Sequence, residues 1–94
     1  MIHALKILPR YFEAVRNGDK TFELRKNDRN FQTGDYLALN EWDKDHYTGR
    51  TELMEVTYMM NPNEIMTCQG NFVLLGIRKN GSSRYDNAET EWKI

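Results

Sequence analysis

A short helix passes into a strand in the stretch Gly18-Asp19-Lys20-Thr21-Phe22-Glu23-Leu24-Arg25, which has the pattern Gly-x-Lys-x-x-Glu-x-Arg. Side chains alternate between the two faces of a strand, so the apolar Phe22 and Leu24 share one face and the charged Glu23 and Arg25 share the other. We expect the apolar face to lie on the core and the charged face to be open to solvent. The alternation therefore predicts a strand in a sheet with one buried face and one exposed face.

The charged face of this strand has two interpretations. Glu23 and Arg25 stand at positions i and i+2, beside Thr21, with Lys20 where the strand begins. An acid and two bases held this close by a core beneath them can bind an anion or transfer a proton. The same pattern is also typical of an ordinary strand with a surface ion pair, which contributes little to stability.

Length and composition predict one domain with a single core. The chain has 94 residues, of which 39% are hydrophobic and 29% charged, so it is too apolar and too balanced in charge to be disordered. No apolar run reaches the roughly 20 residues of a membrane span, and residues 1–20 lack the apolar segment of a signal peptide. The single cysteine, Cys68, allows no internal disulfide. We therefore expect a cytoplasmic protein without a metal site or cofactor.

Charge is unevenly divided along the chain. Residues 1–34 carry seven basic and four acidic side chains, a net charge of +3, whereas residues 35–94 carry six and ten, a net charge of −4. A net charge of −1 for the whole chain argues against non-specific coating of nucleic acid. A basic half on an acidic body favours a local anion site, although an uneven division without functional meaning fits as well.

The hydrophobic pattern predicts five short strands and one or two short helices. Strands are expected over 3–8, 20–26, 36–42, 51–60 and 72–77, and a helix over 9–17, where Pro9 suits the first turn. Residues 43–49 are expected to form a polar loop, and residues 64–70 an irregular or single-turn connection. No strand is followed by a long helix and a further strand, so the pattern favours an α+β fold, a small closed or half-closed barrel. The predicted domain covers 1–80, followed by a polar tail over 81–94.

These motifs resemble the ASCH family of the PUA-like superfamily. The octapeptide followed by Gly34-Asp35 carries the resemblance. A fuller set of segments, around residues 3–7, 11–15, 20–29, 41–43 and 47–50, is similar to a compact bacterial and phage branch of unassigned function. The similarity covers residues 3–78. It implies a five-stranded PUA-like barrel with the helix at one end, and a cleft beside the signature strand that takes RNA or a nucleotide.

The resemblance and the residue types together give a set of candidate RNA contacts: Lys6, Lys20, Glu23, Arg25, Asn27, Asp28, Arg29 and Trp42. Arginine offers a bidentate fork to phosphate or guanine, whereas lysine acts as a point charge. Glu23 could orient Arg25 or accept a proton from the exocyclic amine of a base. Four of these residues also have a structural alternative: a solvated charge for Lys6, turn residues for Asn27 and Asp28, and a core or rim aromatic for Trp42 rather than a stacking platform.

Two further functions stay open. The resemblance implies that some relatives are amidohydrolases acting on acetylated cytidine and others ribonucleases, in which case Lys20 would be the base and Glu23 its partner. In the amidohydrolase pattern a threonine stands where this chain has Glu23. The third possibility is a protein-interaction module. We expect a monomer whose partner is RNA or a nucleotide and which has no membrane partner.

Overall fold

A computed structural model describes residues 1–87, which form one five-stranded sheet, one α-helix and one short 3-10 helix. The strands are β1 (Ile2–Ile7), β2 (Phe22–Lys26), β3 (Tyr36–Asp43), β4 (His46–Met60) and β5 (Phe72–Arg84). The helix α1 spans Pro9–Arg16, and the 3-10 helix spans Pro62–Glu64.

The strand order in the sheet is β1-β3-β4-β5-β2, so β1 and β2 are the two edges. β1 runs parallel to β3, and all the other neighbouring strands are antiparallel. The sheet curls into a half-barrel, and α1 packs on β3 and β4. The predicted α+β class, five strands and half-closed barrel are confirmed at this level.

The core lies on the concave side of the sheet, where the apolar faces of the strands and of the helix meet. β1 buries His3, Leu5 and Ile7, every second residue, as the alternation predicts. α1 contributes Phe12 and Val15, which are likewise buried. β5 adds its own alternating apolar residues, Val73, Leu75 and Ile77. The helix begins at Pro9 and ends where Gly18, at φ +88°, turns the chain and donates its N–H to the carbonyl of Val15.

The prediction for the faces of β2 is wrong. Phe22 is 48% exposed and Leu24 is 53% exposed, whereas Glu23 is only 4% exposed. The register explains this, because Glu23 lies opposite the buried Leu75 of β5 and therefore shares its concave face. Alternation in the sequence separates two faces of a strand, but the position of the strand in the sheet decides which face points inward.

Two predicted non-strand segments are strands. β4 begins at His46, inside the predicted loop over 43–49, because the β3–β4 hairpin is held by side-chain pairs across it. Trp42 packs edge-on against Tyr47, with ring centroids 4.7 Å apart. β5 continues to Arg84, past the predicted beginning of the tail at residue 81, and Ser83 is buried. Residues 88–94, the remainder of the predicted tail, lie outside the described residues.

Candidate functional site

A cleft of about 550 Å³ lies between the two edges of the half-barrel. Its lining comes from the end of β1, the first turn of α1, and the segment through β2: Lys6, Ile7, Leu8, Tyr11, Lys20, Phe22, Glu23, Leu24 and Arg25. The sheet curvature brings β1 and β2 to opposite sides of this cleft, although they are the first and last strands in the sheet order. The signature strand therefore forms one wall of this cleft, beside which the sequence predicts the candidate site.

The carboxylate of Glu23 joins the two predicted bases. The Nζ of Lys20 donates to Glu23 Oε1 at 2.5 Å, and the Nε of Arg25 donates to Glu23 Oε2 at 2.8 Å. Both carboxylate oxygens are thus occupied, and the buried charge is compensated as a buried charge requires. Lys20 and Arg25 are held with defined positions on the cleft wall, with side chains 15% and 22% exposed.

Lys20 is also anchored by the backbone and by rings. Its Nζ donates to the carbonyl of Phe22 at 2.5 Å and lies 4.8 Å from the centroid of the Phe22 ring. Its own N–H donates to the carbonyl of Ala14 in α1. The ring of Tyr11 is 5.8 Å from the same ammonium group. Helix and signature strand therefore fix this lysine together.

The apolar wall of the cleft is the part that sequence reasoning missed. Ile7 and Leu8 come from the end of β1, and Tyr11 from the helix, with Phe22 and Leu24 completing the wall. Phe12 points into the core, which leaves its neighbour Tyr11 on the surface of α1. An exposed aromatic next to a buried one in a short helix is the signal that could have found it.

A second, smaller cleft of about 220 Å³ adjoins the signature strand at its other end. Its lining consists of Leu5, Arg25, Lys26, Asp28, Arg29 and Phe31. The Nη1 of Arg29 donates to the carbonyl of Ala4 at 2.9 Å, which connects the turn after β2 to the edge of β1. Two further predicted contacts, Asp28 and Arg29, are thereby placed beside Arg25.

The remaining predicted contacts are more scattered. Lys6 lines the larger cleft, and its Nζ lies 4.1 Å from the ring centroid of Trp42. Trp42 itself lines neither cleft, and its Nε1 donates to the carbonyl of Lys44. Asn27 also lines neither; its backbone pairs with that of Asn71. The structure thus brings together Lys6, Lys20, Glu23 and Arg25, with Asp28 and Arg29 in the adjoining cleft.

A buried ionic network beneath α1 is a second feature that the sequence did not indicate. Arg16 Nε donates to Glu52 Oε2 at 2.6 Å, and the two Nη groups bind both carboxylate oxygens of Asp86 at 2.6 and 3.0 Å. The bond to Asp86 is the main reason that the pKa of Arg16 is raised, and the same bond lowers the pKa of Asp86. Ser83 donates to the other oxygen of Glu52. These groups line neither cleft and satisfy one another.

Arg50 forms a similar cluster that also contacts the helix. It binds both oxygens of Glu41 at 2.8 Å and also reaches Glu13. The bond from Arg50 is the largest of the effects that lower the pKa of Glu41. The guanidinium groups of Arg16 and Arg50 also lie over the ring of Phe12, each 4.7 Å from the ring centroid. Because every group has a partner, this cluster is interpreted as structural.

Two negative observations concern residues 1–87. Within that range, no three or more histidine, cysteine, aspartate or glutamate side chains come together in a group that could hold a metal ion. No helix in the same range is long and apolar enough to cross a membrane. The chemistry of the larger cleft is therefore that of its ammonium, guanidinium and carboxylate groups beside an apolar wall, an arrangement suited to an anion that carries a ring.

Comparison with known proteins gives a relative and a family. An "Uncharacterized 12.9 kDa protein in GpA 3'region" of Escherichia phage P2 is 43% identical over 56 residues. The alignment covers 60% of this chain and 51% of the phage protein, so the chain matches about half the length of that relative. A family model described as "Domain of unknown function (DUF3850)" matches residues 2–77, which include both clefts and four whole strands. The chain therefore belongs to the DUF3850 family.

Proposed function

We propose that the larger cleft binds RNA or a nucleotide. The observation that carries this proposal is the convergence of Lys6, Lys20 and Arg25 on a cleft whose other wall is apolar and aromatic. A volume of about 550 Å³ falls within the roughly 300–1,000 Å³ of clefts that hold small ligands. The cations match a phosphate, and the wall formed by Tyr11 and Phe22 matches a base.

The bonds around Glu23 assign roles within the site. Both of its oxygens are occupied by Lys20 and Arg25, so Glu23 orients these cations and does not read a base edge. Arg25 binds Glu23 through its Nε. Within residues 1–87, its two Nη groups have no hydrogen-bond partner. Those groups are the donors that we assign to a phosphate. With three cations and one carboxylate, the cleft keeps a net positive charge.

We further propose that this half-barrel is of the PUA-like type and that the family is related to ASCH domains. The position of the Gly-x-Lys-x-x-Glu-x-Arg strand beside the larger of the two clefts supports this relationship. So does the basic character of that cleft on a chain whose net charge is −1. RNA and nucleotide ligands are met in the cytoplasm, where we expect the protein to act.

Calorimetric titration with nucleosides, nucleoside monophosphates and short single-stranded RNAs tests the binding site. Arg25→Ala should weaken binding at least about tenfold, because a charged hydrogen bond contributes about 1.5–3 kcal/mol. Arg78→Ala is the matched control: this arginine is exposed, pairs with Glu55 and lines neither cleft. Its removal should leave affinity unchanged.

Salt dependence provides a second measurement. If the protein contacts three phosphates of a short single-stranded RNA, binding should show a log–log slope of about −2. Equal affinity of Arg25→Ala and the unsubstituted protein for RNA would remove the site assignment, even if RNA bound elsewhere on the molecule. Absence of binding by any of these ligands would remove the proposed function itself.

A hydrolase is the second candidate, favoured by one observation. Lys20 Nζ and Glu23 Oε1 are 2.5 Å apart, and the lysine side chain is largely shielded from solvent. This is the proximity that proton transfer between a base and its partner requires. The bridge from Glu23 to Arg25, expected of a binding site, is present as well. The contacts therefore meet the geometric requirement for catalysis while also fitting simple binding.

Incubation with acetylcytidine and with short RNA distinguishes these possibilities. A hydrolase should turn over one of the two substrates, and Lys20→Ala should abolish the turnover while Arg78→Ala retains it. Absence of turnover on both substrates at high protein concentration would leave the binding site as the function.

A further inference from the structure

We propose that the two clefts form one continuous track for single-stranded nucleic acid, two nucleotides long, in which Arg25 binds the phosphodiester between the two nucleosides. This inference rests on the proposed function of the larger cleft. It adds the size of the ligand and its position along the signature strand.

The two clefts are continuous because they share residues and follow the same pair of strand edges. Arg25 lines both of them. β1 contributes Lys6 and the residues after it to the larger cleft and Leu5 to the smaller one, while the chain from Lys20 to Arg29 runs the opposite way along the facing wall. The track therefore lies along the seam between β1 and β2, and Arg25 stands at its middle.

The size of the smaller cleft makes it an extension of the larger. Its volume of about 220 Å³ is below the roughly 300 Å³ at which clefts hold a small ligand by themselves. The larger cleft exceeds this limit. One nucleotide placed in the larger cleft would thus direct a neighbouring nucleotide toward the smaller one, past Arg25.

Charge complementarity identifies the occupant as a polyanion. The two linings together contain five cations and two carboxylates, a net charge of +3 on a chain whose net charge is −1. The cations are distributed along the track: Lys6, Lys20, Arg25, Lys26 and Arg29. A nucleoside monophosphate places its phosphate among the cations of the larger cleft, whereas a 5′-phosphorylated dinucleotide brings a second phosphate to the cations around Arg25.

Residues from other elements stand at the two ends of the track. At one end, Tyr11 of α1 belongs to the lining of the larger cleft. At the other end, the Nη1 of Arg29 donates to the carbonyl of Ala4 in β1. The two clefts between them offer room for one nucleotide each, so nucleotides beyond the second should add little affinity.

Calorimetric titration with a length series tests the track. The probes are adenosine and uridine as nucleosides, as 5′-monophosphates, and as 5′-phosphorylated di-, tri- and tetranucleotides, each as ribose and deoxyribose forms that separate RNA from DNA. We expect the 5′-phosphorylated dinucleotide to bind at least tenfold tighter than the matching nucleoside 5′-monophosphate. A third nucleotide should then add less than about twofold.

Variants distinguish the two clefts. Arg29→Ala should remove most of the dinucleotide advantage and leave the affinity for nucleoside monophosphate within twofold, whereas Arg25→Ala should weaken both ligands and Arg78→Ala neither. Circular dichroism verifies that each variant is folded. Equal affinity for mono- and dinucleotides, equal effects of Arg29→Ala on both, or a gain that continues to four nucleotides would overturn the track while the nucleotide site stands. Absence of binding by every probe would overturn both.

Discussion

Replacement of Arg16 by methionine should strongly destabilise the protein because the buried carboxylate of Glu52 loses its guanidinium partner. Glu52 is completely buried, and Arg16 donates to one of its oxygens at 2.6 Å. Without the guanidinium, the partners of Glu52 within residues 1–87 are the hydroxyl of Ser83 at 2.8 Å and the ammonium of Lys79 at 4.0 Å. Asp86 also loses both of its bonds to Arg16, but its side chain is 36% exposed and can be solvated.

The size of the effect follows from these contacts. Removal of one partner of a buried ion pair costs about 3–5 kcal/mol, and the residual contacts of Glu52 place the expected loss at about 3 kcal/mol. A chain of this length has a total unfolding free energy of about 5–14 kcal/mol. Arg16→Met should therefore remain folded, with an unfolding free energy of about 2–11 kcal/mol. The double variant Arg16→Met/Glu52→Gln keeps an oxygen that accepts from Ser83 but buries no unpaired charge. It should therefore recover about 2 kcal/mol of the lost unfolding free energy.

Urea denaturation followed by tryptophan fluorescence measures these differences through the transition midpoint at constant slope. Arg78→Met is the control, since an exposed arginine should change stability by no more than about 0.5 kcal/mol. A loss below about 1 kcal/mol for Arg16→Met would refute the assignment of this pair as a buried, mutually dependent one. So would a double variant no more stable than the single one.

Two further predictions concern backbone conformation and pH. Gly49 and Gly18 both have positive φ, +92° and +88°, but a Cβ at Gly49 would overlap the side chain of Asn87, whereas one at Gly18 meets no atom within 4 Å. Gly49→Ala should therefore lower stability by about 2–3 kcal/mol and Gly18→Ala by about 1 kcal/mol; equal urea midpoints for the two would contradict the steric argument. The pKa values of Glu41 and Asp86 are lowered by bonds from arginine side chains, so both contribute stability that is complete above their ordinary values of 4.5 and 3.8. This stability is lost as the pH falls through the lower folded-state values. Asp86→Asn should flatten the decline of the urea midpoint below pH 4, and an unchanged decline would exclude that contribution.

The parts of the fold that were predicted from the sequence are those decided by local pattern. Alternation over β1 predicts that Leu5 and Ile7 are buried, and the Pro9 and Gly18 signals predict the extent of α1 to within a residue. The hairpin around 43–49 was missed because its stability comes from pairs across the strands, such as Trp42 with Tyr47, which no single segment reveals.

The candidate site was predicted only along the strand that carries it. The i, i+2 spacing places Glu23 beside Arg25, and Lys20 reaches the same carboxylate from the residues before the strand, since these contacts are local. The opposite wall, with Leu8 and Tyr11, depends on the sheet curling until its edges face each other, which is a property of the strand order. The sequence alone does not indicate that Leu8 and Tyr11 lie across the cleft from the signature strand.

β2 exposes its apolar residues and buries a charged one. This pattern is the reason that we propose a ligand for the cleft and not for the network beneath α1. Burial of a large apolar side chain contributes about 1.5–3 kcal/mol, yet this strand leaves Phe22 and Leu24 exposed and buries Glu23. Departures of this kind from core patterning are expected at functional sites. The network around Glu52 also buries charge, but its groups line neither cleft and complete one another. At Glu23 the compensating cations line an open cleft, and within residues 1–87 the two Nη groups of Arg25 have no hydrogen-bond partner.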